Sequence, residues 1–156
     1  ILAGKPITIT DPNMTRFMMS LDQAVDLVVF AFKNGQSGDI FVQKSPATNV
    51  ITLAEAIKKS LNKPNHPVKV IGTRHGEKLY ETLLTREEMV RAVDLENYYR
   101  IRPDSRDLNY NIFLDSGEHV ITEASEYNSH NTHQLTQDQL MNLIVNLEET
   151  KMYYKN

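Results

Sequence analysis

Apolar and polar positions follow two periods along this chain, and the switches between them mark the elements. Pro6-Ile-Thr-Ile-Thr10 alternates with period two and is rich in β-branched residues, which predicts a short strand. Asp11-Pro12-Asn13 is turn chemistry, and Met14 to Met19 predicts a second extended piece. Helical spacing then takes over. Leu21, Ala24, Val25, Val28 and Phe32 recur on one face behind a Ser20–Gln23 capping box, and the helix should end at Asn34-Gly35. Leu27, Val29, Phe30 and Ala31 make that helix apolar nearly all round, which predicts burial. Ile40-Phe41-Val42 reads as an apolar strand closed by Lys44-Ser45-Pro46. Thr52 is the expected cap of a helix over Leu53 to Leu61, with Leu53, Ile57 and Leu61 inward, Lys58-Lys59 outward and a stop at Asn62-Lys63-Pro64-Asn65. Val68 to Ile71 predicts another strand, and Glu77 to Leu84 a helix-like run. Residues 21 to 84 therefore read helix, strand, helix, strand, helix, an α/β alternation with parallel pairing.

Beyond Leu84 the texture changes. Thr85 and Glu88 form a second capping box, opening a short helix to about Ala92. Val93 to Tyr110 reads as extended and poorly regular. Asn111 to Leu114 and His119 to Thr122 suit a hairpin around Asp115-Ser116-Gly117-Glu118. Glu123 to Gln134 is polar and turn-rich, a loop. Thr136 and Gln139 form a third capping box before an amphipathic helix carrying Leu140, Leu143, Ile144 and Leu147. At the other end, Ile1-Leu2-Ala3-Gly4 reads as the last turn of a helix closed by glycine, so the sequence is expected to be a piece of a longer protein.

Composition narrows the chemistry. With 156 residues and 40% hydrophobic positions the chain can bury a core, and its net charge of -3 does not suit a general nucleic-acid or membrane-surface binder. It has no cysteine, hence no disulfide, thiolate metal site or cysteine nucleophile. No apolar run is long enough to span a bilayer and no signal-peptide pattern is visible, so a cytoplasmic protein is expected. His130 and His133, with His119 upstream, lie in a polar stretch without an acidic partner at fixed spacing, and no metal site is assigned to them. Arg100, Arg102 and Arg106 alternate with tyrosines, as in a single-strand nucleic-acid surface. The intervening Asp104 and Asp107 favour an ion-pair network or an oligomer contact instead.

The sharpest candidate is Val70-Ile-Gly-Thr-Arg74-His75-Gly76-Glu77. A planar arginine fork pairs with two phosphate oxygens at once, and a carboxylate accepts from both hydroxyls of a ribose diol. Arg74 and Glu77, three apart, suit a nucleoside diphosphate; the same spacing also suits a surface ion pair at a helix start. Arg16 is a second arginine placed to bracket a diphosphate, or a satisfied surface arginine. No phosphate-binding glycine loop is present.

Three blocks in order, Asp11-Pro-Asn-Met-Thr-Arg16-Phe-Met-Met-Ser-Leu-Asp22, Gly38-Asp-Ile-Phe-Val-Gln-Lys44 and Thr73-Arg-His-Gly-Glu-Lys-Leu-Tyr-Glu81, resemble the extended short-chain dehydrogenase/reductase family. Within it they are most similar to bacterial polysaccharide-biosynthesis enzymes acting on UDP-N-acetylglucosamine, 4,6-dehydratases that also invert C5 and are often labelled UDP-glucose 4-epimerase. Val93 to Tyr110 is similar to the C-terminal extension of that group. The resemblance implies an α/β fold, the substrate-binding C-terminal portion of such an enzyme without its Rossmann half. Residues 1–84 would be the UDP-sugar portion and 85–156 the extension. It implies that Arg16 and Arg74 contact the UDP phosphates, that Glu77 binds the ribose hydroxyls, and that Pro6, Ile7 and Thr8 edge the uracil. It also implies NAD or NADP in the full-length enzyme and none bound by this portion, which lacks the glycine-rich loop and any Tyr-x-x-x-Lys pair and so has no catalytic residue of its own. The expected partners are a UDP-sugar, the N-terminal Rossmann portion and further copies in a homo-oligomer. The alternatives are part of a 4-epimerase and a non-enzymatic oligomerisation module.

Overall fold

The computed structural model describes residues 1–103 and 124–154, which form a mixed α/β fold of short elements. The chain divides into two compact units that interleave along the sequence: residues 1–20, 45–81 and 129–156, and residues 21–44 and 82–128.

In the first unit, β1 (Ile7–Ile9) pairs in parallel with β5 (Val68–Val70), Ile7 opposite Val68 and Ile9 opposite Val70. β2 (Thr15–Phe17) pairs antiparallel with β4 (Ala47–Asn49), which runs directly into α2 (Val50–Ser60). Asn49, not Thr52, caps α2: its side chain accepts from the Thr52 backbone N–H, so Thr52 is the donor and the helix begins earlier. α2 packs on α4 (Gln137–Asn146), whose Thr136–Gln139 capping box forms in both directions as the sequence predicts. The core between them is Ala56, Leu140 and Ile144, flanked by Met18, Leu53, Ile57, Leu135 and Tyr154. Lys58 does not point outward. Its side chain is covered and its ammonium pairs with Glu55 at 2.8 Å, one turn back on the same helix. A 3₁₀ turn, Glu148–Tyr153, follows α4 and brings the Tyr154 hydroxyl to the Ser60 hydroxyl at 2.9 Å.

In the second unit, β3 (Ile40–Gln43), β8 (Tyr98–Ile101) and β7 (Ala92–Leu95) form an antiparallel sheet in the order β3-β8-β7. The stretch expected to be irregular is thus a hairpin over residues 92–101. Its turn, Glu96-Asn97, contains no glycine: Glu96 takes φ 63 itself, and the Asp94 side chain accepts its N–H. α1 (Leu21–Asn34) covers one side through Phe30, which stacks on Tyr98 at 4.3 Å and meets Phe41 edge-on at 5.5 Å. The predicted burial of α1 is not found: Phe32 is 87% exposed, and Leu21, Val25, Val28 and Val29 are exposed beside it. Apolar composition alone does not bury a helix, which also needs a surface to cover it. α3 (Arg86–Arg91) has the predicted Thr85–Glu88 capping box, with both hydrogen bonds made. β6 (Thr82–Leu84) pairs antiparallel with β9 (Tyr127–Asn128), which places a strand inside the expected loop. The expected hairpin over 111–122 and the stretch 104–110 lie outside the described residues.

Candidate functional site

The residues expected at the nucleotide site (Pro6, Ile7, Thr8, Arg16, Arg74 and Glu77) all fall in the first unit. Parallel pairing of β1 with β5 sets Ile7 and Thr8 alongside Val68 and Lys69, with Ile7 half-buried and Pro6 and Thr8 exposed. One further bond, from the Ile71 N–H to the Ile9 carbonyl (2.8 Å), carries the pairing past the end of β5. The chain then turns. Gly72 and Gly76 take φ 86 and 78, values that glycine adopts without strain, and space is open around both.

Glu77 does not open a helix. Residues 77–81 are irregular and 82–84 are strand, because the backbone groups a helix needs are taken by other segments. The Leu79 carbonyl accepts from the Thr15 N–H at 2.9 Å, the Glu81 carbonyl from the Ser129 N–H at 2.8 Å, and the Glu81 N–H donates to the Ser129 hydroxyl at 2.9 Å. Long-range partners thus override a local helical preference.

The Glu77 carboxylate closes the turn. One oxygen accepts from the Arg74 N–H at 3.2 Å and the other from the Thr10 hydroxyl at 3.1 Å, so the carboxylate is tied to the end of β1. An ionised carboxylate has about four lone-pair sites, which leaves acceptor capacity for a diol. The Arg74 side chain is exposed, and among the described residues its guanidinium makes no hydrogen bond or ion pair. Arg16, half-buried on β2, is more committed. It donates to the Thr15 carbonyl (2.7 Å), the Met14 sulfur (3.2 Å) and the Lys78 carbonyl (3.0 Å), and its Nε lies 3.6 Å from the Glu81 carboxylate. Arg16, Arg74 and Glu77 therefore meet on one segment, residues 74–81, with Arg16 fastened to the residue after Glu77.

Several residues here carry no signal in the sequence. Thr15 is buried and its hydroxyl lies 2.7 Å from the Ser129 hydroxyl and 2.9 Å from His130 Nδ1. Ser129 is fully buried, and the His130 ring lies 4.8 Å from the Tyr80 ring. Thr15 lies inside the first block that resembles the family, one residue before Arg16, whereas Ser129 and His130 sit in what reads as a polar loop. Among the described residues no group of three or more His, Asp or Glu side chains is arranged to hold a metal ion. Among the described residues no helix is long and apolar enough to cross a membrane.

Fold and site together define a mixed α/β segment that carries an exposed arginine and a hydrogen-bonded carboxylate on the turn after a parallel strand. Residues 1–103 match the family model described as polysaccharide biosynthesis protein, and residues 104–151 match its C-terminal companion. The chain belongs to that polysaccharide-biosynthesis branch of the extended short-chain dehydrogenases. It is 48% identical over its whole length to a UDP-glucose 4-epimerase of Rickettsia rickettsii (strain Sheila Smith), and 49% identical to one of Rickettsia bellii (strain OSU 85-389). It spans about half the length of these relatives, 46% of each. The X-ray structure of Pen from Bacillus thuringiensis superposes on 90% of the chain with a TM-score of 0.73 and 32% identity, and the match covers 40% of that protein.

Proposed function

We propose that this chain is the UDP-sugar-binding portion of a nucleotide-sugar enzyme of bacterial surface-polysaccharide synthesis. The observation that carries the reading is the Arg74–Glu77 turn. Its carboxylate is pinned by Thr10, and among the described residues its guanidinium makes no hydrogen bond or ion pair. Arg74 pairs with a phosphate of the diphosphate, Arg16 supplies a second cationic donor, and Glu77 accepts from the ribose hydroxyls. Pro6, Ile7 and Thr8 edge the uracil along β1. In this reading residues 1–84 carry the nucleotide site and residues 85–156 form the extension.

The redox chemistry belongs to a bound NAD or NADP, which supplies transient oxidation of the sugar. The residues here do not fit that group. There is no glycine-rich loop, and the open space around Gly72 and Gly76 is not a cradle that a Cβ would fill. What this chain contributes is binding and orientation, and its partners are the cofactor-binding half of the same enzyme and further copies of itself in the cytoplasm.

Two outcomes of the chemistry are in play. The residue blocks favour loss of water across C5 and C6 of UDP-N-acetylglucosamine with inversion at C5. The names of the relatives favour inversion at C4. Product analysis by NMR, with UDP-N-acetylglucosamine and the complete native polypeptide, distinguishes them: a 4-keto-6-deoxy sugar means dehydration and a C4 epimer means epimerisation. An unreactive sugar, together with no binding of UDP, contradicts the proposal.

A further inference from the structure

Two buried hydroxyls join β2, which carries Arg16, to the end of the segment that carries Arg74 and Glu77. Ser129 is completely covered and Thr15 is 6% exposed. The Ser129 hydroxyl accepts from the Glu81 N–H (2.9 Å), donates to the Thr15 carbonyl (3.2 Å) and lies 2.7 Å from the Thr15 hydroxyl. The Thr15 hydroxyl continues the chain to His130 Nδ1 at 2.9 Å. The Ser129 backbone joins in, its N–H donating to the Glu81 carbonyl at 2.8 Å. Residues 129–130 are thus laced on one side to β2, one residue from Arg16, and on the other to Glu81, at the end of the segment that begins with Arg74 and Glu77. Ser129 lies within the span of the family's C-terminal model, whereas Arg16, Arg74 and Glu77 lie within that of the first.

We propose that Ser129 and Thr15 are positioning residues for nucleotide binding, through which the C-terminal extension sets the distance between Arg16 and the Arg74–Glu77 turn. The inference rests on the nucleotide-site reading above. A diphosphate gripped by two arginines and a ribose gripped by a carboxylate tolerate little drift in that distance, since displacements of about 1 Å are costly where several groups must engage together. Arg16 cannot set the distance alone: it reaches the segment through one bond, at Lys78, and its contact with Glu81 at 3.6 Å is an ion pair without hydrogen-bond geometry. The hydroxyl lacing is short, dry and made at both ends, conditions in which hydrogen bonds specify geometry. His130, exposed, receives the Thr15 hydroxyl contact at Nδ1, and its ring lies tilted against that of Tyr80 at 4.8 Å.

The test uses the complete native polypeptide with Thr15→Val, which keeps shape and removes the hydroxyl, Thr15→Ser, which keeps the hydroxyl, and Ser129→Ala. Thr136→Ala, which removes the α4 cap, serves as a destabilised control outside the lacing. Calorimetry with UDP should show affinity falling about fivefold to tenfold in Thr15→Val and Ser129→Ala, and staying near wild type in Thr15→Ser and Thr136→Ala. A merely structural role predicts the opposite pattern, with Thr15→Val binding like Thr136→Ala at matched loss of stability, and that result overturns the proposal. If the wild-type protein does not bind UDP, the nucleotide reading itself fails. Hydrogen exchange of residues 77–81 then decides the lacing: faster exchange in Thr15→Val than in Thr136→Ala supports it, and equal exchange removes it.

Discussion

The two units of this chain reach order by different means. The first has an aliphatic core in which α2 and α4 bury Ala56, Leu140 and Ile144 against each other, and its site is fixed by buried hydroxyls. The second buries Leu84 and Ile101 but adds rings and ion pairs around them. Phe30 stacks on Tyr98, Tyr99 meets Tyr127 edge-on at 5.4 Å, Arg100 pairs with Asp39 at 2.6 Å, and the Lys44 ammonium pairs with Asp94 and lies over the Tyr99 ring. Meanwhile α1 leaves Leu21, Val25, Val28 and Phe32 exposed, although it is the most apolar helix by sequence. Helical periodicity says which face of a helix is apolar; only the rest of the fold says whether that face is covered.

The comparison can be broken where it is strongest. Leu140→Ala empties the centre of the first unit and should cost about 3 kcal/mol in a denaturant melt, the range for a fully buried leucine; a loss below about 1 kcal/mol would mean that this core does not carry the unit. In the second unit the corresponding lever is electrostatic. The hydrogen bonds from Arg100, then from the Gln36 N–H, hold the Asp39 carboxyl below the ordinary carboxylate range. A carboxyl with a lowered native value stabilises the fold fully above its ordinary titration range, and that contribution fades as pH falls through the native value. Arg100→Met should return the Asp39 titration toward normal by NMR and move the acid unfolding midpoint of this unit to higher pH. An unchanged Asp39 titration would show that the pair does not hold the sheet.

Smaller effects sharpen the contrast. Both units have a helix with a complete capping box, but α4 buries Leu140 and Ile144 whereas α3 buries nothing. Thr136→Ala should therefore cost about 1 kcal/mol and Thr85→Ala only the low end of the capping range, about 0.5 kcal/mol, by thermal melts. The smallest change belongs to Phe32, the most exposed of the large apolar side chains among the described residues. Phe32→Ser should alter the stability of this chain by less than about 0.5 kcal/mol, because an exposed side chain leaves no cavity. A loss above about 2 kcal/mol would mean that α1 is covered after all.

Features fixed by near neighbours were legible in the sequence. The capping boxes at Thr85 and Thr136 need only a partner three residues on, and both form. β1, β2, β3 and β5 follow their short apolar runs to within a residue or two. Features fixed by distant partners were not. The run 77–84 reads as a helix until Thr15 and Ser129 claim its backbone groups, and Ser129 lies 114 residues from Thr15. The 92–101 hairpin carries no Asn-Gly or Asp-Gly turn, and Asp94 substitutes for one by accepting the Glu96 N–H. At the site, the spacing of Arg74 and Glu77 was visible because a turn is local, while the Thr10 hydroxyl that pins Glu77 comes from 67 residues away.

The central claim is that the unspent Arg74 guanidinium beside the pinned Glu77 carboxylate grips a nucleoside diphosphate. Titration of UDP into the complete native polypeptide and its Arg74→Ala variant, with uridine as a phosphate-free comparison, tests it most directly. The predicted result is UDP affinity lower by about tenfold or more in the variant, the worth of a charge-assisted phosphate contact, with uridine binding unchanged. Equal UDP affinity in the two proteins would contradict the account.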